Sequence, residues 1–151
     1  MYKKIVYATD FSKHSQAAFK QLQNVCECSK PDEVFVVHII AHSSLAMETN
    51  MEGFASPHLS EIRDTLKKHF IEDSEKRMDT IVRVLRDMNI HTEQRIYEGV
   101  PHNEITKIAD EEDCDLIIIG SHGKSQFEEF FIGSTTEKIL RKANCPVLVV
   151  R

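Results

Sequence analysis

Apolar positions along the chain switch between two spacings. Lys3-Lys4-Ile5-Val6-Tyr7-Ala8-Thr9 holds a short apolar run cut off by Asp10, which predicts a first strand over 3–9. From about 13 to 28, Ala18, Leu22, Val25 and Cys26 fall at i, i+4, i+7 and i+8, one face of a helix that Ser29-Lys30-Pro31-Asp32 stops. Glu33 to Ile40 is almost continuously apolar, as expected of a strand covered on both faces. The pattern disappears from 41 to 57, a polar stretch with Met47, Met51 and Phe54, which predicts a long loop, either a lid over a ligand or a disordered excursion. A long helix is predicted over about 58–89. Ile62, Leu66 and Phe70 form a stripe that Met78, Ile81, Val82, Leu85 and Met88 continue, with the methionines as core filler and the intervening charges as a solvated face. His91 to Glu98 alternates and is polar, the pattern of an edge strand. Pro101 suits the first turn of a third helix with Ile105, Ile108 and Ala109 inward. Asp115–Gly120 reads as a strand, 134–143 as a helix, and 145–151 as a last apolar strand.

The sum is β-α-β-α-β-α-β-α-β in one domain spanning 1–151. Alternating strands and helices with apolar strands predict an α/β fold, an open parallel sheet with helices on both faces and right-handed crossovers. In such sheets ligands bind beyond the carboxyl ends of strands where the winding reverses. With strand one beside strand four, Thr9-Asp10 and Gly120-Ser121 meet at that crevice, one side offering a carboxylate and the other backbone donors.

The candidate chemistry sits there. Of 5 glycines, Gly120, Gly123 and Gly133 lie in the connection between the fourth strand and the fourth helix. A residue without Cβ allows a tight turn and close approach to its N–H. Free N–H groups at a helix start favour an anion such as phosphate. Ser134 and Glu137 stand in capping-box spacing. Two readings remain open on spacing alone, a phosphate cradle and a plain strand-to-helix connection.

Composition narrows the classes. A chain of 151 residues suffices for a sizeable core, burying about 70% of its unfolded surface. Net charge is −5 with no Lys/Arg cluster, against non-specific binding to nucleic acid or an anionic membrane. No run approaches the ~20 apolar residues of a membrane helix, and the start of the chain reads as a strand, not a signal peptide. Cys26, Cys28, Cys114 and Cys145 lack zinc-site spacing, so they read as reduced thiols, mostly buried, in a cytoplasmic protein.

Gly120-x-x-Gly123, nine residues, then Gly133-Ser134-Thr135 resembles the nucleotide-binding pattern of the universal stress protein family. Ile5-Val6-Tyr7-Ala8-Thr9-Asp10-Phe11-Ser12, Val37-His38-Ile39, Glu98-Gly99-x-Pro101 and Cys145-Pro146-Val147-Leu148-Val149-Val150 are similar to that family too, so the resemblance covers essentially the whole chain. It implies a Rossmann-like five-stranded parallel sheet of order 3-2-1-4-5 and an ATP-binding protein. Carried over by position, Ala8, Thr9 and Asp10 would line the nucleoside end, and Ile39 and Ile119 would contact adenine. Gly120, Gly123, Gly133, Ser134 and Thr135 would hold ribose and phosphates, with Ser121, His122 and Lys124 in the intervening loop. Mg²⁺ would sit on the phosphates. The resemblance also implies a homodimer paired through Val147, Leu148, Val149 and Val150.

Two departures stand out. Ala8 occupies a position where family members often carry proline. Glu128 and Glu129 place carboxylates in a loop that is often basic, which weakens triphosphate binding unless they point outward or a divalent ion intervenes. No Walker lysine pattern occurs, Lys124 is the sole Lys or Arg between Gly120 and Gly133, and no nucleophile–base–orienter set is present. His122 reads as a loop histidine without catalytic role, His38 as a hydrogen-bonded core histidine. The expected function is therefore a nucleotide-dependent switch or adaptor in stress response. A slow Mg²⁺-dependent ATPase or phosphotransferase and a structural dimer without nucleotide are the alternatives.

Overall fold

The computed structural model describes residues 1–41, 57–123 and 131–151. The elements run β1 (Lys4–Ala8), α1 (Lys13–Ser29), β2 (Glu33–Ala41), α2 (Pro57–Asp87), β3 (His91–Gly99), α3 (Pro101–Glu111), β4 (Leu116–Gly120), α4 (Ser134–Lys142) and β5 (Val147–Val150). All strand pairs are parallel, in the order β3-β2-β1-β4-β5. The expected five-stranded Rossmann-like sheet is what forms. The predicted loop between β2 and α2 lies outside the described residues, apart from its ends at Ala41 and Pro57.

Alternation along the central strands divides the core into two layers, because successive side chains point to opposite faces. On one face Ile5, Tyr7, Val34, Val36, Leu116 and Ile118 meet Ala18, Leu22 and Cys26 of α1 and Met78, Val82 and Leu85 of α2. On the other, Val6, Ala8, Phe35, Val37, Ile117 and Ile119 meet Ile105, Ile108 and Ala109 of α3 and Ile139 of α4. A strand covered on both sides has no polar face to show, hence the unbroken apolar runs of β1, β2 and β4. Fully burying each such side chain contributes about 1.5–3 kcal/mol.

The stripe expected of α2 holds only in part. Met78, Val82 and Leu85 are buried, Leu66 and Phe70 are half-buried, and Ile62 is 53% exposed. Length explains this. A helix of 31 residues runs about 46 Å, whereas the 9-residue β3 runs about 30 Å, so the first turns of α2 overrun the sheet. Alongside, Lys67 of α2 pairs with Glu98 of β3.

The edge strand β3 is polar, as expected. Arg95 lies over the Phe35 ring at 4.6 Å and donates to Glu93 at 2.8 Å and Glu112 at 2.6 Å. The Glu93 and Glu112 carboxylates hold its guanidinium charge firmly in place. Helix α1 stops as its sequence predicts: Lys30 turns left-handed (φ 49°), its N–H reaches Cys26 O at 2.9 Å, and Pro31 follows. The four cysteines are free. Cys26 and Cys114 are buried and Cys145 is half-buried, but Cys28 is exposed, because a position two residues beyond Cys26 leaves the apolar face of the helix.

Candidate functional site

Strands β1 and β4 are hydrogen-bonded neighbours with Ala8 opposite Ile119, so Thr9-Asp10 and Gly120-Ser121 meet beyond their carboxyl ends. After β1 the chain must turn sharply into α1. Phe11 takes a left-handed backbone (φ 63°), and the turn is held by side chains. The Phe11 N–H donates to Thr9 Oγ1 at 3.0 Å, and the Ser12 N–H to Asp10 Oδ1 at 3.0 Å. Ser12 caps α1 by accepting from the Ser15 N–H at 3.2 Å. His38 Nδ1 lies 2.7 Å from the Thr9 carbonyl, which can only accept, so this nitrogen carries the proton and anchors the turn from β2. His38 is the hydrogen-bonded core histidine its sequence context predicts.

On the β4 side, Ser121 is fully buried and its N–H donates to Val150 O at 2.7 Å. The chain returns at Gly133, whose N–H donates to Ser121 O at 2.8 Å. Thr136 Oγ1 donates to Gly120 O at 2.9 Å, fastening the first turn of α4 to the end of β4. The two ends of the glycine loop are thus tied together directly above the sheet.

The three glycines serve different purposes. A Cβ on Gly120 would stand 2.7 Å from His14 C and 2.8 Å from Ser15 N, so its bareness is required by the α1 backbone. A Cβ on Gly123 would come within 2.9 Å of Asp10 Oδ2, so this glycine brings the loop up against the carboxylate. At Gly133 a Cβ would press on Ser121 O at 3.2 Å and His122 Cα at 3.3 Å, where the loop closes on itself.

The expected capping box is absent. The N-cap of α4 is Gly133, with no side-chain cap hydrogen bond, and Ser134 is already inside the helix. The helix starts one residue earlier, with Gly133 O accepting its first hydrogen bond from the Glu137 N–H at 2.9 Å. As a result the N–H groups of Ser134, Thr135 and Thr136 have no acceptor among the described residues, and the positive end of the helix dipole faces the loop uncapped. A second unmet group lies close by. His122 Nδ1 contacts Ser121 Oγ at 3.0 Å, while its Nε2 is buried without a hydrogen-bond partner among the described residues. Leaving such a nitrogen unsatisfied costs about 1–3 kcal/mol.

Ala8, Thr9, Asp10, Gly120, Ser121, His122, Gly123, Gly133, Ser134 and Thr135 are thereby gathered around one crevice. Ile39 and Ile119 lie in the apolar layer beneath it, packed with Ala8. Lys124, Glu128 and Glu129 lie outside the described residues. Two participants escaped the sequence reading. Ser12, whose Oγ reaches His122 O at 3.4 Å, was legible as a helix cap. His14, whose ring sits 5.1 Å from that of His122, had no local signal, because only the tertiary packing of α1 on β4 brings it there.

The sequence pattern of the universal stress protein family matches residues 1–151. The chain belongs to this family. The universal stress protein MJ0577 of Methanocaldococcus jannaschii is 37% identical over 156 residues, covering 100% of this chain and 96% of its own. The structure solved for MJ0577 has a TM-score of 0.84 to this fold and covers 99% of this chain and 96% of its own. A universal stress protein of Archaeoglobus fulgidus, solved in complex with dAMP, shares the fold at TM-score 0.64 and 21% identity, covering 99% and 98% of the two chains.

Proposed function

We propose that this universal stress protein binds an adenine nucleotide, ATP with Mg²⁺ on its phosphates, in the crevice between β1 and β4. The observation that carries the reading is the uncapped start of α4. Three N–H donors and the helix dipole face outward from the first turn of α4, where Gly133 adds no side chain of its own, the arrangement that suits phosphate oxygens. The buried, unpartnered Nε2 of His122 is a further polar group that an incoming ligand can satisfy. Asp10, held by the Ser12 N–H, stands on the opposite side of the crevice, suited to ribose hydroxyls or the adenine amino group. Ala8, Ile39 and Ile119 supply the apolar layer for the base, and Lys124 adds a cation to the loop. In this reading the Mg²⁺ ion is carried by the phosphates. The Archaeoglobus fulgidus protein of the same fold was solved in complex with dAMP, an adenine nucleotide.

In this reading the nucleotide is held and its presence is the signal, with a slow Mg²⁺-dependent ATPase or phosphotransferase as the alternative. Strand β5 ends the sheet with four half-buried apolar residues, Val147 to Val150, and pairs with the same strand of a second copy, since an apolar edge seeks a partner. The protein acts as a nucleotide-dependent adaptor in the cytoplasm. The test is to denature purified protein and identify released nucleotide by ion-exchange chromatography, before and after exhaustive dialysis. Adenine nucleotide released in proportion to protein, and retaken on adding MgATP, supports the reading. Protein that neither carries nor takes up adenine nucleotide refutes it.

A further inference from the structure

Between α1 and α2, on the Tyr7 face of the sheet, lies a cleft of about 320 Å³ that shares Thr9 with the nucleotide crevice. Its walls are apolar: Phe11 and Phe19 on one side, Ile81 and Val84 on the other. Its floor is polar only in name. The Tyr7 hydroxyl donates to Ser15 O at 2.7 Å, and burial pushes the phenol up to about 12, so it carries no charge. Thr9 Oγ1 accepts from the Phe11 N–H and donates to Ser15 Oγ.

One cation, Arg77, stands among the described lining residues, and no carboxylate does. Its guanidinium lies 4.3 Å over the Phe11 ring centroid. A guanidinium resting on an aromatic ring keeps N–H donors for a carboxylate in bidentate geometry. Its acidic neighbour Asp73 is 3.7 Å away, with both side chains about half exposed or more, a pair that water and salt weaken readily. The site therefore combines aromatic and branched walls, an uncharged floor and a single positive group at the mouth.

We propose that this cleft binds a small aromatic monocarboxylate, its ring between Phe19 and the Ile81–Val84 wall and its carboxylate on Arg77. The volume lies at the small end of ligand pockets, which span about 300–1,000 Å³, so it takes a one- or two-ring acid and excludes a nucleoside triphosphate. The occupant touches Phe11 and Thr9, which flank the Asp10 turn of the crevice.

The test uses 2-naphthoate and its neutral counterpart 2-naphthalenemethanol. The chain contains no tryptophan, so naphthalene fluorescence is read without interference from indole. Both probes are titrated into the wild type, Arg77→Gln and Thr80→Phe, two exposed positions on α2. Naphthoate is expected to bind saturably at submillimolar to millimolar concentration and to move the amide resonances of Phe11, Phe19, Ile81 and Val84. Arg77→Gln weakens naphthoate by about tenfold, the loss of one charge-assisted contact, and leaves the alcohol unchanged. Thr80→Phe, whose ring covers the mouth, weakens both. The proposal is overturned if naphthoate does not saturate, if Arg77→Gln lowers acid and alcohol equally, or if the resonances that move lie elsewhere.

Discussion

Gly120→Ala separates a glycine needed for packing from one needed for a ligand. The added Cβ would lie 2.7 Å from His14 C, 2.8 Å from Ser15 N and 2.9 Å from His14 Cβ, where an unstrained contact needs well over 3 Å. Neither side yields easily. The first turn of α1 is tied by the Ser12 cap and by the Tyr7 hydroxyl on Ser15 O. Gly120 is tied by its register with Val150 and by Thr136 on its carbonyl. Backbone pressing on backbone belongs at the upper end of overpacking, about 3 kcal/mol. Loss of glycine's freedom in the unfolded chain offsets about 0.4–1 kcal/mol of that. The net expectation is about 2–2.5 kcal/mol of destabilisation, or about 5–10 °C in Tm for a chain of this size. Gly133→Ala is the control. Its nearest contacts are 3.2 and 3.3 Å and its φ of −60° suits any residue, so it should stay within about 1 kcal/mol of the wild type. Urea unfolding followed by circular dichroism, with unchanged m-values, measures both. A Gly120→Ala protein as stable as wild type, or a Gly133→Ala protein losing as much, would refute the assignment of these glycines.

Three further outcomes follow from single observations. The Asp115 carboxylate accepts from the Lys3 and Lys4 N–H groups at 2.7 and 2.9 Å, and the Lys4 and Lys3 backbone donors, in that order, hold its pKa below the usual range. A lowered folded pKa gives stability that is present above the unfolded pKa near 4 and lost as pH falls through the folded value. Asp115→Asn should therefore cost about 1 kcal/mol near neutrality, discounted for exposure, and progressively less as pH falls below about 4. A pH-independent difference in urea midpoint would contradict this. Burial pushes the Cys26 thiol up to about 11 and the Cys114 thiol up to about 12, while Cys28 is exposed. Iodoacetamide on native protein near pH 8, read by peptide mass spectrometry, should label Cys28 first and leave Cys26 and Cys114 unmodified. Early labelling of Cys114 would show that its strand end opens. Ser134→Asp puts a carboxylate in the first turn of α4, worth about 0.3–1 kcal/mol of added stability. In water, two phosphate charges about 6 Å away repel it by about 1.4 kcal/mol. A protein with a raised Tm and about tenfold weaker ATP binding is expected, and unchanged affinity would place the phosphates elsewhere.

The fold was legible because its decisive signal is local. Val34 to Ile40 and Leu116 to Ile119 announce buried parallel strands without any tertiary knowledge, and the edge character of β3 is written in its charges. The sequence singled out positions that the fold brings together at the ends of β1 and β4, but not the packing reasons for them. The family resemblance assigned Gly120 to ribose and phosphates, whereas α1 lying across it requires the missing Cβ, a contact between residues more than a hundred positions apart. The Ser134–Glu137 pair has the spacing of a cap, yet α4 takes Gly133 as its N-cap and Ser134 lies inside the helix. Ile62 has the right phase for the core but lies where α2 has passed beyond the sheet. The cleft under Arg77 has no sequence signature, since its walls come from two helices that only the fold brings side by side. For Gly120, Ile62 and the cleft the missing information is a distance between distant segments.

The central claim is that the crevice at β1 and β4 holds MgATP on the uncapped end of α4. Calorimetric titration of MgATP into nucleotide-free wild type and into Gly133→Val tests it most directly, with circular dichroism and urea unfolding to show that both are folded. The wild type is expected to give a saturable heat with micromolar affinity and one nucleotide per chain. None is expected for Gly133→Val, whose side chain presses on Ser121 O and His122 Cα and fills the approach to the N–H donors. No heat from the wild type at millimolar ATP, or equal affinity in a folded Gly133→Val protein, would contradict it.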